Sequence, residues 1–419
     1  MFLVLASALA APAVSPFQPP AEHVFRPQLP LPRGGQYLEK YHAGEFTVLW
    51  DDDGEWFAEV IEQQLDLNWV LGSIYDAFYE HNGDEYQYLT ILMVRDYGFF
   101  VAFYSPMAND VRGIGYDMYG PELWDTTEDS QVEGMIFMNY YGIWTANEPQ
   151  SRYVFGQEFM HRWGSFVNVD HQSLDEDELL GRDVAHWSFW LDTPNSPMEG
   201  NDWVDNGDGT FTTDKNSGST FSDLDLYLMG LVGPEEVGEQ VVLQVTGSTP
   251  YAAEDTPIYL ADTERTTPNV TVEATPVTFT LDDVIAAEGE RSPSVDDSPK
   301  SFRMGMIILV QEDDVLDDAV LAEIEALRVS WEDGWEEDVQ FLAELDTSLG
   351  ENTSPCWPGT PEACAAEESP ADDTGSPADA DEDPAKEEEP AGCGCAGAPA
   401  PAWIAALGLA AVARRRRRS

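Results

Sequence analysis

Between residues 55 and 81, in EWFAEVIEQQLDLNWVLGSIYDAFYEH, apolar side chains recur every three to four positions. That spacing gathers them on one face of a helix, so a long amphipathic helix is expected. The period then changes. YQYLTILMVRD (86–96) and FFVAFYSP (99–106) are rich in β-branched and aromatic residues and predict strands, with GIGYDMY and GMIFMNYYGIW (134–144) following. A helix carrying FGQEFMHRWGSFV comes next and sets Glu158 and His161 on neighbouring turns. FRMGMIILVQE (302–312) predicts another strand. A long acidic amphipathic helix is then expected from Asp317, through Val320, Leu321, Ile324, Leu327, Trp331 and Trp335, to Leu345. The pattern describes an α+β body from about 36 to 350, with no internal repeat.

Composition adds constraints. A chain of 419 residues suffices for one large domain or two ordinary ones, and 43% hydrophobic residues with 13 Trp support a packed core. There are 79 acidic residues against 20 basic ones, a formal net charge of -59. Such a body repels phosphates, which argues against nucleic acid as a partner. It suits a secreted protein in a salty or calcium-rich medium, where charge is screened and acidity serves solubility.

The termini point the same way. MFLVLASALAAPAVSPF has the apolar run and small residues of a secretory signal peptide, expected to occupy residues 1–20. Cys356 and Cys364, in a small loop over 351–365, are close enough in sequence for a disulfide in an exported protein. An acidic Pro/Ala/Asp/Glu stretch over 366–392 has the composition of a disordered spacer. Residues 393–419 then carry Cys393 and Cys395 in a Gly-Cys-Gly-Cys element, the short apolar run PAWIAALGLAAVA, and Arg414 to Arg418. That order resembles the cysteine-containing C-terminal sorting signals of myxobacteria known as MYXO-CTERM. The resemblance implies recognition and cleavage by a sorting protease, delivery to the cell surface, and membrane contact only through this segment.

The chemistry concentrates in GQEFMHRWG, residues 156–164. In H-E-x-x-H, a helix presents two imidazoles to Zn²⁺ while the intervening Glu acts as general base for metal-bound water. Here Glu158 and His161 hold the second and last positions, and Gln157 stands where the first histidine would be. A carboxamide oxygen is a poor substitute for imidazole at zinc. His186, in GRDVAHWSFW, is a candidate further ligand; Asp170 and His171, in NVDH, are alternatives. Met198, in NSPMEGN, and Met229, in LDLYLMGL, are candidates for a methionine turn beneath a metal. A strict metzincin would place a ligand at 167, where this chain has Val167.

Together, EFMHRWGSFV, AHWSFWLD, SPMEGNDWVDNGDGTF and SDLDLYLMGL resemble secreted zincin-like proteins of myxobacteria that read H-E-x-x-H-R-W. The resemblance spans roughly residues 90–345, with its sharp motifs between 156 and 231. It implies a zincin-like metallopeptidase fold with an active-site helix against a mixed sheet, Glu158 as base and His161 as zinc ligand.

NDWVDNGDGTF (201–211) permits two readings. Asp202, Asp205 and Asp208 offer oxygen ligands to calcium, but the spacing is not that of an EF-hand. Asp-Gly and Asn-Gly pairs between aromatic residues mark a hairpin, the favoured reading. No nucleophile elbow or phosphate-binding loop appears. Two functional expectations remain. One is an exported, surface-anchored metallopeptidase acting on peptides or proteins. The other is an inactive zincin-fold module that binds such ligands, because Gln157 replaces the first zinc ligand.

Overall fold

The computed structural model describes residues 38–62, 67–80, 82–96, 102–116, 130–181, 184–214, 220–246 and 270–350. The first sheet contains β1 (Glu39–Ala43), β2 (Phe46–Asp51), β3 (Tyr88–Met93), β4 (Phe103–Pro106), β5 (Gly134–Tyr140), β12 (Ser301–Gln311) and β13 (Glu344–Asp346). Its order is β1-β2-β12-β3-β5-β4, with β13 beside β12. The four inner strands β2, β12, β3 and β5 run parallel, while β1 and β4 close the edges antiparallel. Strands of that inner kind are covered on both faces, which explains why β3 and most of β12 read as continuous apolar runs.

The two faces take alternate residues. Leu89, Ile91, Ile307 and Leu309 pack with Trp56, Phe57, Leu71, Ile74 and Phe78 from α1 (Glu55–Glu62) and α2 (Leu67–Tyr79). Tyr88, Met304 and Ile308 belong to the opposite core, with Phe155 and Phe159 from α4 (Glu148–Met160) and Trp331 and Trp335 from a last long helix. Between β5 and α4 lies the short α3 (Tyr141–Thr145).

The second sheet has the order β7-β6-β10-β11-β9-β8. Its strands are β6 (Trp187–Asp192), β7 (Glu199–Asn201), β8 (Trp203–Asp205), β9 (Thr210–Thr213), β10 (Gln240–Val245) and β11 (Thr271–Phe279). The remaining helices are α5 (Asp223–Met229), α6 (Leu281–Glu288) and α7 (Asp318–Asp338). One core joins both sheets, since Trp187, Leu191, Val242 and Phe279 cluster with Tyr88, Phe159 and Ile308.

Several expected elements are corrected. The span 55–81 is described as two helices, α1 and α2, with 63–66 outside the described residues. The stretch 134–144 is a strand only to Tyr140, after which α3 begins. The acidic helix stops at Asp338; Gln340 and Phe341 take left-handed backbone, which a right-handed helix cannot continue through, and Leu345 belongs to β13. GIGYDMY forms no strand in its described part. Among the described residues no helix is long and apolar enough to cross a membrane. The expected signal peptide, Cys356, Cys364, the spacer, and Cys393 and Cys395 with their sorting segment all lie outside the described residues.

The last described stretch is strapped to the body. Leu345 N–H donates to Glu336 at 3.0 Å, Thr347 N–H to Glu332 at 3.1 Å, Leu349 N–H to Glu45 at 2.6 Å and Gly350 N–H to the Tyr86 hydroxyl at 2.7 Å. Arg328 also donates to the Thr347 hydroxyl at 2.5 Å.

Candidate functional site

Helix α4 is fixed by aromatic packing. Phe155 stacks on Trp331 with centroids 5.0 Å apart, and Trp331 donates its indole N–H to Ser151. Phe159 meets Tyr88 of β3 edge-on at 4.7 Å and Trp335 of α7 at 5.0 Å. These contacts bury the C-terminal half of the helix, Gln157 and Glu158 included. The helix ends at Met160, and His161 is its C-cap. A left-handed glycine does not terminate it; a tight turn does, with Trp163 N–H bonding Met160 O at 2.8 Å.

His161 and His186 are brought together. Their rings meet edge to face, centroids 4.9 Å apart at 88°, and both side chains are buried. His161 Nδ1 lies 3.1 Å from Gly164 O. A carbonyl only accepts, so Nδ1 carries a proton in this contact. His186 sits at the start of β6, where its own carbonyl accepts from Gly181 N–H at 2.8 Å.

The other sequence motifs meet at one buried carboxylate. Asp225 of α5 accepts from Trp187 Nε1 at 2.7 Å, Ser196 Oγ at 2.8 Å, Ser222 N at 2.8 Å and Ser222 Oγ at 2.7 Å. Ser222 is also the N-cap of α5, in a capping box with Asp225. Burial raises the Asp225 pKa, and these hydrogen bonds oppose the rise without reversing it. AHWSFW, NSPMEGN and SDLDLYLMGL thus converge on Asp225, whose local Ser-x-x-Asp pattern signals the cap of α5 but not its bonds to Trp187 and Ser196.

Through this node the Ser196–Met198 turn is held against α4. A Cβ on Gly156 would lie 3.8 Å from Pro197, and the Tyr153 hydroxyl donates to Ser196 O at 3.3 Å. Met198 N–H donates to Ser196 Oγ at 3.0 Å, and Met198 O accepts from Trp187 N–H at 2.8 Å. Met198 therefore lies in a turn beside the motif helix. Met229 is a core residue at the end of α5.

Left-handed backbone occurs close by in sequence. Val184, two residues before His186, and Asn195 and Glu199, on either side of the Ser196–Met198 turn, have φ of 53°, 56° and 76°. A β-branched valine in that region is a true outlier, and such strain gathers at functional sites. Glu199 was not singled out by sequence reasoning. It is buried, its Cα is paired with that of Trp187, and it follows directly on Met198. Burial of an acid in a three-residue strand leaves no periodic signal to find it by.

The alternative ligands sit differently. Asp170 is exposed and its N–H bonds Asp283 O at 2.9 Å; His171 Nδ1 accepts from Ser173 N–H at 3.3 Å. Asp205 and Asp208 are exposed in the loop of the β8–β9 hairpin, where Asp205 accepts from Gly207 N–H at 2.7 Å and Asp208 from the Thr210 hydroxyl at 2.6 Å. Asp202 N–H bonds Asn195 Oδ1 at 3.4 Å and Asp202 O accepts from Asp214 N–H at 2.8 Å. The hairpin reading of 201–211 holds.

His161 and His186 together bring two imidazoles side by side. The set falls short of the three protein ligands a catalytic zinc takes. Gln157 fills the first position, and among the described residues no group of three His, Cys, Asp or Glu could hold a metal.

Arg162, directly after His161, is buried. Its Nε donates to Glu133 Oε2 at 2.8 Å, and the Tyr88 hydroxyl donates to the same oxygen at 2.5 Å. Asn109 Nδ2 donates to Arg162 O at 3.0 Å, which ties the 107–116 loop to the turn carrying His161. Burial works against the charged guanidinium, but Glu133 holds its pKa above the ordinary value.

No family model, curated protein or solved structure matches the chain.

Proposed function

We propose that this chain is an exported, surface-anchored hydrolase of the zincin-like metallopeptidase kind, with its pocket at Glu158, His161 and His186. The observation that carries the reading is the His161–His186 pair, two buried imidazoles 4.9 Å apart at the end of the helix that also buries Glu158. Buried ionisable groups in strained surroundings are costly, and a fold with no use for them has little reason to keep them. Peptide bonds are the target class, and Glu158 is the group that takes a proton from the attacking water.

A second reading has its own support. Gln157 stands at a ligand position, and a pocket with two histidines can bind a peptide without cleaving it. The two are separated by incubating the full chain, purified without chelator, with a fluorescently labelled protein substrate in the presence of added zinc. Cleavage that disappears in Glu158→Gln, with the fold intact by circular dichroism, supports the hydrolase. Equal residual activity in both proteins, or none in either, leaves the binding module.

A further inference from the structure

Arg162 presents an unanswered half of a guanidinium. Of its two edges, the one carrying Nε faces Glu133. The opposite edge is formed by Nη1 and Nη2, a fork that matches the two oxygens of a carboxylate. Nη1 is buried and, among the described residues, has no hydrogen-bond partner. Nη2 has Asp110 at 4.0 Å, too far for a hydrogen bond. The arginine side chain is 3% exposed, whereas Asp110 is 95% exposed.

A buried donor left unpaired is costly, above all a charged one, and calls for an acceptor. Among the described residues none is supplied along that edge. Tyr104 gives its hydroxyl hydrogen bond to Glu133 O, and Arg291, the other cation close enough to influence Arg162, uses its donors on Leu228, Met229, Pro293 and Ser298.

We propose that the Nη1/Nη2 edge of Arg162 is a receptor for a carboxylate presented by a ligand, with Asp110 as the native carboxylate that competes for it. The site adjoins His161 but does not depend on hydrolysis, so it goes beyond the function proposed above. The shared chemistry is a carboxylate on a peptide, either its C-terminus or an acidic side chain. A like-charged Asp110 repels that group, and its 4.0 Å contact holds the fork only loosely.

The test uses the full chain and isothermal titration calorimetry with three short peptides of one sequence. One has a free C-terminus, one a C-terminal amide, and one an amide with an internal Glu. Binding of either carboxylate form about tenfold tighter than the plain amide is expected, and the preferred form identifies the source. Asp110→Asn, a surface change, should tighten that binding about threefold, and Arg162→Lys should weaken it about tenfold because the fork is lost. No preference for a carboxylate, or an unchanged affinity in Asp110→Asn, overturns the proposal. In that case water satisfies the guanidinium. The Asp110 variant keeps the result readable if changes at Arg162 unfold the chain.

Discussion

The indole N–H of Trp187 donates to Asp225 at 2.7 Å, across a sequence separation of 38 residues. Because Trp187 follows His186, this bond fixes the chain directly after the second imidazole. The same carboxylate holds Ser196, so one aspartate positions both the β6 start and the turn beside α4. Asp225→Ala leaves buried donors on Trp187, Ser196 and Ser222 without an acceptor, and is expected to lower stability by about 3 kcal/mol or more. Ser222→Ala removes only the cap and its partner, at about 1 kcal/mol. Urea unfolding followed by tryptophan fluorescence ranks the two; equal midpoints would show that Asp225 is not the node.

Gln157→His restores an imidazole one turn before His161. It is expected to raise zinc affinity at least tenfold, or about 1.4 kcal/mol. Competition with a chromogenic chelator reads the change directly, without any activity assay. His186→Ala in the same background should remove the gain; if it does not, His186 takes no part in the site.

Gly305 lies in the middle of β12, where the ring of Phe78 presses on it from α2. A Cβ there would lie 2.7 Å from Phe78 Cζ and 2.9 Å from Leu89 Cδ2. Both neighbours are fully buried and have little room to move. Gly305→Ala should destabilise by about 1–3 kcal/mol through overpacking, and trimming Phe78→Leu alongside it should recover part of the loss. Thermal melts of the single and double variants decide the matter.

Stability should fall as pH rises from about 4 to about 7. Asp338, at the end of α7, has its carboxyl pushed up to about 7 by burial, with Glu337 adding to the shift and Arg152 opposing it. Asp192 is pushed up to about 6, again by burial first, against the hydrogen bond from Trp203. Each group keeps its proton in the folded protein over a range where the unfolded chain, titrating from 3.8, has released it. Asp338→Asn should therefore flatten the profile and stabilise the protein at pH 8 by ~1–2 kcal/mol, allowing for screening of a partly exposed group. Urea midpoints at pH 5 and pH 8 provide the comparison. A variant that keeps the full slope would remove Asp338 as its cause.

Much of the fold was legible because periodicity reports burial directly. The apolar runs of β3 and β12 and the 3.6-residue pattern of α2 stand where the spacing puts them, while the motif helix carries Glu158 but stops at Met160 and leaves His161 as its C-cap. The end of the acidic helix was not legible, because tertiary pairing of Leu345 with Phe302 overrides a pattern that continues on paper. The candidate site was visible at His161 and His186, whose residue types announce themselves. Its supports were not. Asp225 sat inside a quoted motif but drew attention only to Met229, and Glu133 lies 29 residues before the arginine it pairs with. Hydrogen bonds between distant segments leave no trace in local spacing.

The strap over 344–350 has a mechanical meaning. Tension applied beyond Gly350 would first meet the Tyr86 and Glu45 hydrogen bonds, then the Thr347–Glu332 and Arg328 contacts, and only then the three-residue ladder to β12. These attachments lie at the base of the central sheet and on α7, whereas His186 and the turn beside it belong to the second sheet. A pull applied beyond Gly350 would thus spend itself on the bonds nearest that point, one after another, before it reached the second sheet.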